Sequence, residues 1–188
     1  MDYGKTSDPK KWEVLKSEYL FNRPWLTARR DHVKLPSGAE NKEYYVLEYP
    51  DWVNVIARDK EGRFVMIRQY RHGLGETRFE LCAGVVDPND ASPEEAARRE
   101  LMEETGYGGG SWHLLTTLSG NASATNNLTY CFLAEGVEEM GAQQLENTED
   151  IKVHLLTKEE VLTLLRNDEI KQSLMAAPLW KYFCTETR

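Results

Sequence analysis

The chain has 188 residues, 40% of them hydrophobic and 29% charged, with a net charge of −8. That is one domain, or one domain with a small accessory lobe, with enough apolar residues to bury a core without disulfides. It excludes a disordered chain and argues against a nucleic-acid binder, because Lys10–Lys11 and Arg29–Arg30 are isolated basic pairs on an acidic protein.

The polar start Met1–Lys11 holds no secretory apolar stretch, and no apolar run approaches the ~20 residues of a membrane span. Trp25–Leu35 reads as a strand. Pro36-Ser37-Gly38 is a turn signal, and Lys42–Tyr49 is rich in Tyr and Val, so the two form a predicted hairpin. Pro50-Asp51 interrupts the chain. Trp52–Arg58 and Phe64–Tyr70 are further strands across the turn Asp59-Lys60-Glu61-Gly62, and Ser92–Thr105 reads as a helix. Trp112–Leu118, Leu128–Ala134 and Ile151–Leu156 are three more strands. Lys158–Asn167 has a helical pattern of Val161, Leu162, Leu164 and Leu165. A last helix runs from Glu169 towards Phe183 with Pro178 as a kink or a start. Strands and helices are mixed rather than alternating, which predicts a mixed sheet with helices on its faces. Trp25 and Trp52 read as core residues, with stacking on a base as the alternative. His32, His72, His113 and His154 are scattered and read as surface or structural residues. Cys82, Cys131 and Cys184 are odd in number and spaced for neither a zinc site nor a disulfide framework, so a reducing cytoplasm is expected.

The predicted helix over 92–105 carries the chemistry. Ser92 can cap it, Pro93 suits its first position, Glu95 completes an S-x-x-E box and Gly106 stops it. Glu100, Glu103 and Glu104 stand at i, i+3 and i+4, within an arc of roughly 100°. Like charges at that spacing cost about 0.2–0.5 kcal/mol per pair. They also fall in the last turn, where the helix dipole disfavours anions. Hard oxygen ligands grouped this way suit Mg²⁺ or Mn²⁺; a solvated acidic face is the alternative.

The stretch Gly84-Val85-Val86-Asp87 through Arg99-Glu100-Leu101-Met102-Glu103-Glu104-Thr105-Gly106-Tyr107 resembles the Nudix box, G-x5-E-x7-R-E-U-x-E-E-x-G-U with U a bulky apolar residue. The second half matches at each fixed position. In the first half the family's early Glu falls on Ala91, and Asp90 or Asp87 can replace it after a local shift. The resemblance implies that Glu100, Glu103 and Glu104 are metal ligands, that Glu103 also serves catalysis, and that Arg99 orients the glutamates. It implies an α+β fold: the Nudix α/β/α sandwich with a mixed sheet, residues 51–188, plus a small N-terminal β lobe, residues 1–50, that dimerises.

Upstream, Arg68-Gln69-Tyr70-Arg71 and Phe79-Glu80-Leu81-Cys82-Ala83-Gly84 resemble the ADP-ribose pyrophosphatase branch of that family. This resemblance makes Arg71 a substrate-phosphate contact, Glu80 an acidic group near the metal, and Ala83 a metal ligand through its carbonyl. Cys82 stands where the branch has Pro and reads as a small buried residue. Downstream, Glu146–His154 resembles the acidic loop and strand that supply the catalytic base, with Glu149 the better match and Glu146 one residue off. ADP-ribose enzymes carry Ser-Pro-Gly after the box, whereas this chain has Ser119-Gly120-Asn121-Ala122-Ser123. The expected activity is hydrolysis of the pyrophosphate of a nucleoside diphosphate sugar such as ADP-ribose by a cytoplasmic homodimer, with no nucleic-acid or membrane partner. The alternatives are another nucleoside diphosphate derivative (GDP-mannose, a dinucleoside polyphosphate, NADH) or a nucleotide-sugar sensor.

Overall fold

The computed structural model of the protein describes residues 9–186, so most of the polar start Met1–Lys11 lies outside the described residues. The chain divides into two compact units. One takes Met1–Tyr49 with Asn121–Asn126, and the other takes Pro50–Gly120 with Asn127–Arg188.

The first unit is an antiparallel sheet of β1 (Glu13–Arg23), β2 (Leu26–Lys34) and β3 (Glu40–Glu48), in that order. The expected 36–38 turn closes β2 onto β3: Leu35 N–H donates to the Ala39 carbonyl at 2.8 Å, and Gly38 takes a φ of 89° that an L side chain resists. β1 falls within the expected N-terminal β lobe, although its bounds do not stand out in the sequence. Its apolar and polar residues do not alternate cleanly, it carries two irregularities against β2, and it is exposed along its whole length. Trp25 sits in the tight β1–β2 turn and is 74% exposed, which corrects its reading as a core residue. Residues 121–126 complete the unit, with the Leu47 N–H donating to the Ala124 carbonyl and the Tyr44 hydroxyl to the Ser123 carbonyl, both at 2.7 Å.

The second unit is built on β4 (Trp52–Asp59), β5 (Phe64–Arg71), β6 (Glu76–Glu80), β7 (Cys82–Val85), β8 (Tyr107–Gly108), β9 (Ser111–Leu118), β10 (Thr129–Glu139) and β11 (Ile151–Leu156). They form one mixed sheet in the order β11-β5-β4-β10-β8, with β6 on β5, β7 on β4 and β9 on β10. β4 and β10 are parallel, and the other pairs are antiparallel. Among the described residues three helices cover it: α1 (Pro93–Thr105), α2 (Lys158–Arg166) and α3 (Ser173–Glu186).

The period-2 alternation of a strand decides what packs where. Val53, Val55 and Ala57 of β4 join Ala96, Ala97 and Leu101 of α1. Ile56 on the opposite face joins Val161 and Leu165 of α2 and Met175, Leu179 and Tyr182 of α3. A sheet buried on both faces explains why β4 and β5 read as nearly continuous apolar runs. β6 and β7 give no strand signal in the sequence because they are short and hold polar or small residues, Glu76-Thr77-Arg78 and Ala83-Gly84.

The last helix begins at Ser173 rather than Glu169, and Pro178 lies inside it. Proline has no N–H, so the carbonyl of Leu174, four residues back, loses its helical donor. Asn54 on β4 takes its place: the fully buried Asn54 Nδ2 donates to the Leu174 carbonyl at 2.6 Å. The bond accounts for the Asn54 amide nitrogen, while its Oδ1 is buried with no hydrogen-bond partner among the described residues. Asn54→Leu should cost about 1–3 kcal/mol by stranding that carbonyl, read as a lower midpoint in urea unfolding with unchanged slope. A midpoint equal to wild type would show that water replaces the bond.

Candidate active site

α1 starts as its sequence predicts. The Ser92 hydroxyl accepts from the Glu95 N–H at 3.2 Å, and Pro93 follows. This is the Ser92 half of the expected capping box, whereas α2 shows both halves on Thr157 and Glu160. At the other end Gly106 adopts a left-handed φ of 76° and its N–H donates to Met102 at 2.9 Å. A Cβ there would lie 2.1 Å from the Gly141 carbonyl oxygen, so Gly106 is required by both conformation and space.

The buried face of α1 presses its glutamates onto β7. Glu104 is 4% exposed and accepts from the Ala83 N–H at 3.0 Å. Burial pushes its carboxyl up to about 7, against the lowering effect of hydrogen bonds from the Cys82 thiol and the Ala83 amide; the Glu100 and Glu149 charges raise it further. Glu100 is also raised, first by burial, with Arg99 pulling it down and Glu103 and Glu149 pushing it up. Its carboxylate lies over Gly84, where a Cβ would come within 2.0 Å of the Glu100 carboxyl carbon. The box glycine is therefore a matter of room for a carboxylate.

Arg99 organises the group. Its Nη1 donates to Glu100 and to Glu103, each at 2.9 Å, and its Nη2 to the Val85 carbonyl at 3.1 Å. Its remaining fork meets Asp90, Nε to Oδ1 at 3.1 Å and Nη2 to Oδ2 at 3.0 Å. Of the two substitutes weighed for the missing early Glu, Asp90 is the one that pairs with the arginine. Asp87 shapes the loop instead, its Oδ1 accepting from the Asn89 N–H at 2.8 Å while its own N–H caps Asp90.

Two groups flank this centre. Arg71 grips the 2% exposed Glu80 through Nε at 2.9 and 3.1 Å and through Nη2 at 2.6 Å, and Gln69 adds a bond to Glu80 at 3.4 Å. Glu149 lies in an exposed loop. Its N–H donates to the Glu146 carbonyl at 3.0 Å, and its carboxylate accepts from the Glu146 N–H at 2.9 Å. Glu146 thus contributes a backbone brace, and the Glu149 charge is felt at both Glu100 and Glu104. Cys82 is buried and its thiol is pushed well above its usual range, by burial first and then by Glu104, so it is inert, as its small-residue reading expects.

Among the described residues no three His, Cys, Asp or Glu side chains converge into a formed metal cage. Arg99 draws Glu103 and Glu100 together, while Glu104 turns to β7. The chemistry of the donors nonetheless fits a hard divalent cation: two carboxylates whose pKa values burial raises lie beside a strand backbone, at the negative end of a helix.

Residues 48–177 match the NUDIX domain family model. The chain belongs to the Nudix family. By that membership it is a pyrophosphohydrolase. Residues 12–47 of this Nudix protein match a second model, the nucleoside diphosphate sugar hydrolase N-terminal domain. It is similar to an ADP-ribose pyrophosphatase of Mycobacterium tuberculosis, 32% identical over 73% of this chain and 66% of that protein. An ADP-ribose pyrophosphatase of Bacillus subtilis is 28% identical over 84% of this chain and 85% of its own length. A GDP-mannose pyrophosphatase of an Enterobacter species is 34% identical over 61% of this chain and 62% of its own. The solved structure of an ADP compounds hydrolase superposes with a TM-score of 0.81 over 94% of this chain and 95% of that one; at 19% identity this speaks for the fold.

Proposed function

We propose that this Nudix protein hydrolyses the pyrophosphate of a nucleoside diphosphate sugar, with ADP-ribose the first candidate, to a nucleoside monophosphate and a sugar phosphate. One observation carries the reading: the Glu100 and Glu104 carboxylates, one turn apart on α1, are both packed against β7, Glu100 over Gly84 and Glu104 on the Ala83 N–H, and burial raises both. Such an arrangement is costly unless a cation and a phosphoanhydride use it. The names of the relatives, both models and the intact box support the substrate class.

In this reading Glu100, Glu103 and Glu104, with the Ala83 carbonyl, would hold Mg²⁺ or Mn²⁺. Bound there, the ion would neutralise phosphate charge and acidify a water. Arg99 and Asp90 keep the carboxylates in place. Arg71 spends Nε and Nη2 on Glu80, which fixes its plane and leaves Nη1 for a phosphate oxygen. Glu149 accepts the proton of the attacking water as its oxygen bonds to one phosphorus, and the bridging P–O bond breaks to leave the other phosphate. Glu146 braces that base.

The first unit is read as a homodimer element. β1 is exposed throughout and carries Val14, Leu15, Tyr19, Leu20 and Phe21 at 40–57% exposure, a line of apolar side chains on an edge strand that a second copy would cover. Cys82 and Cys131, buried and outside any disulfide, suit a cytoplasmic setting, and no helix among the described residues is long and apolar enough to cross a membrane.

The test is phosphomonoester release from ADP-ribose, GDP-mannose, NADH and a diadenosine polyphosphate, with EDTA, Mg²⁺ or Mn²⁺, on a preparation whose mass is read by light scattering. We expect metal-dependent turnover of ADP-ribose by a dimer. Full turnover in EDTA would reject the metal reading, preference for the polyphosphate would reject the substrate class, and full activity of a 21.6 kDa monomer would reject the dimer.

A further inference from the structure

We propose that Gln143 is a positioning residue that sets the distance between Glu149 and the glutamates of α1. The inference rests on the reading of Glu149 as the group that takes the water's proton. Residues 140–144 follow β10 and lie along the end of α1. There the Met140 N–H donates to the Gly106 carbonyl and the Gln144 N–H to the Glu103 carbonyl, both at 2.8 Å. A helix leaves its last carbonyls without helical donors, and this strap supplies them. The Glu104 carbonyl receives a side chain instead: Gln143 Nε2 donates to it at 2.6 Å. The same nitrogen donates to the Ile151 carbonyl at 3.3 Å.

One primary amide has two hydrogens, and here it serves two carbonyls. One belongs to the residue whose side chain is the buried Glu104 carboxylate. The other belongs to the first residue of β11, two positions after Glu149. Glu149 itself is tied within its loop, by the Glu146 N–H. Its register against α1 is therefore set where the loop re-enters the sheet, and Gln143 clamps that point to the helix. A Lys at 143 would reach both carbonyls but add a charge beside the site, whereas the neutral amide spans them and leaves the electrostatics alone. Gln143 is an exposed residue outside both apolar core clusters, so the fold should survive its substitution.

The experiment is a cycle of Q143M, E149Q and the double variant in the full chain, assayed on ADP-ribose with saturating Mg²⁺. Q143M keeps length but removes both donors. A misplacement of about 1 Å can cost up to about a hundredfold in rate. We expect kcat to fall about tenfold, KM to change less than twofold, and the melting temperature to stay within about 2 °C. In the E149Q background Q143M should add no further loss, because the group it positions is gone. Q143E, which sets an acceptor against two acceptors, should lose at least as much kcat as Q143M. Wild-type kcat in Q143M with E149Q impaired overturns the inference alone. So does an equal fractional loss in both backgrounds, which would make Gln143 act independently of Glu149. Wild-type kcat in E149Q rejects the reading of Glu149 and the inference with it.

Discussion

Glu104→Gln should lower turnover by about two orders of magnitude or more while raising the stability of the metal-free protein. The two effects have one source. Glu104 is 4% exposed, and burial has pushed its carboxyl up to about 7. An ionised carboxylate there is expensive, and the protein keeps it beside Glu100 at i,i+4, where repulsion adds to the cost. If a bound cation supplies several kcal/mol of transition-state stabilisation, losing one anionic ligand removes a large part of it, and about 1.4 kcal/mol is tenfold. Glutamine keeps the volume and the acceptor for the Ala83 N–H at the cost of the charge.

The sign of the pH effect follows from the raised carboxyl. Between about 4.5 and about 7 the folded metal-free protein holds a proton on Glu104 that the unfolded chain has released. Its stability should therefore be full below that window and fall as pH rises through it, by at most about 3 kcal/mol. In Glu104→Gln this component should vanish, so the variant should melt higher than wild type in EDTA at pH 8 and equally at pH 4. Glu94→Gln is the control on the same helix, since Glu94 pairs with Arg98 at 2.7 Å at the far end of α1. If both variants keep wild-type turnover, the acidic face is a solvated surface.

Much of this site was legible because helices declare themselves locally. The cap at Ser92, the stop at Gly106 and the i, i+3, i+4 glutamates are short-range features, and α1 formed where they placed it. The strands β4, β5, β9, β10 and β11 were visible as apolar runs for the same reason. What escaped depends on contacts distant in sequence. Asp90 was one of two substitutes for the displaced loop acid, and only the fold shows its carboxylate meeting the Arg99 fork. Gln143 carries no signal in a single sequence: an amide that bridges residues 104 and 151 is recognisable only once both are in place. The bounds of β1 inside the expected β lobe do not show because an exposed edge strand need not alternate, and Trp25 is exposed because aromatic character predicts burial only where something covers it. The start of α3 was misplaced for a related reason. Its internal proline is tolerated because Asn54, 120 positions from Leu174, supplies that carbonyl with the donor the proline lacks.

Gly84→Ala should disable the enzyme through a single methyl group. Gly84 is not in a left-handed conformation, so alanine suits its backbone and β7 should persist. The obstacle is Glu100, whose carboxyl carbon and two oxygens would lie 2.0, 2.1 and 2.3 Å from the new Cβ. Those atoms are the end of a flexible side chain, so the chain yields rather than the fold. Glu100 must swing away by more than an ångström to reach van der Waals contact near 3.5 Å. In doing so it leaves the Arg99 Nη1 bond, made at 2.9 Å, and moves relative to Glu104. A displacement of about that size costs on the order of a hundredfold in rate when the group holds a reacting centre. The loss should appear mainly as weaker metal affinity: turnover near zero at limiting Mg²⁺, partly recovered at high Mn²⁺, with the melting temperature of the metal-free protein close to wild type. Wild-type activity at limiting Mg²⁺ would show that Glu100 has room to spare and that its carboxylate is not a ligand.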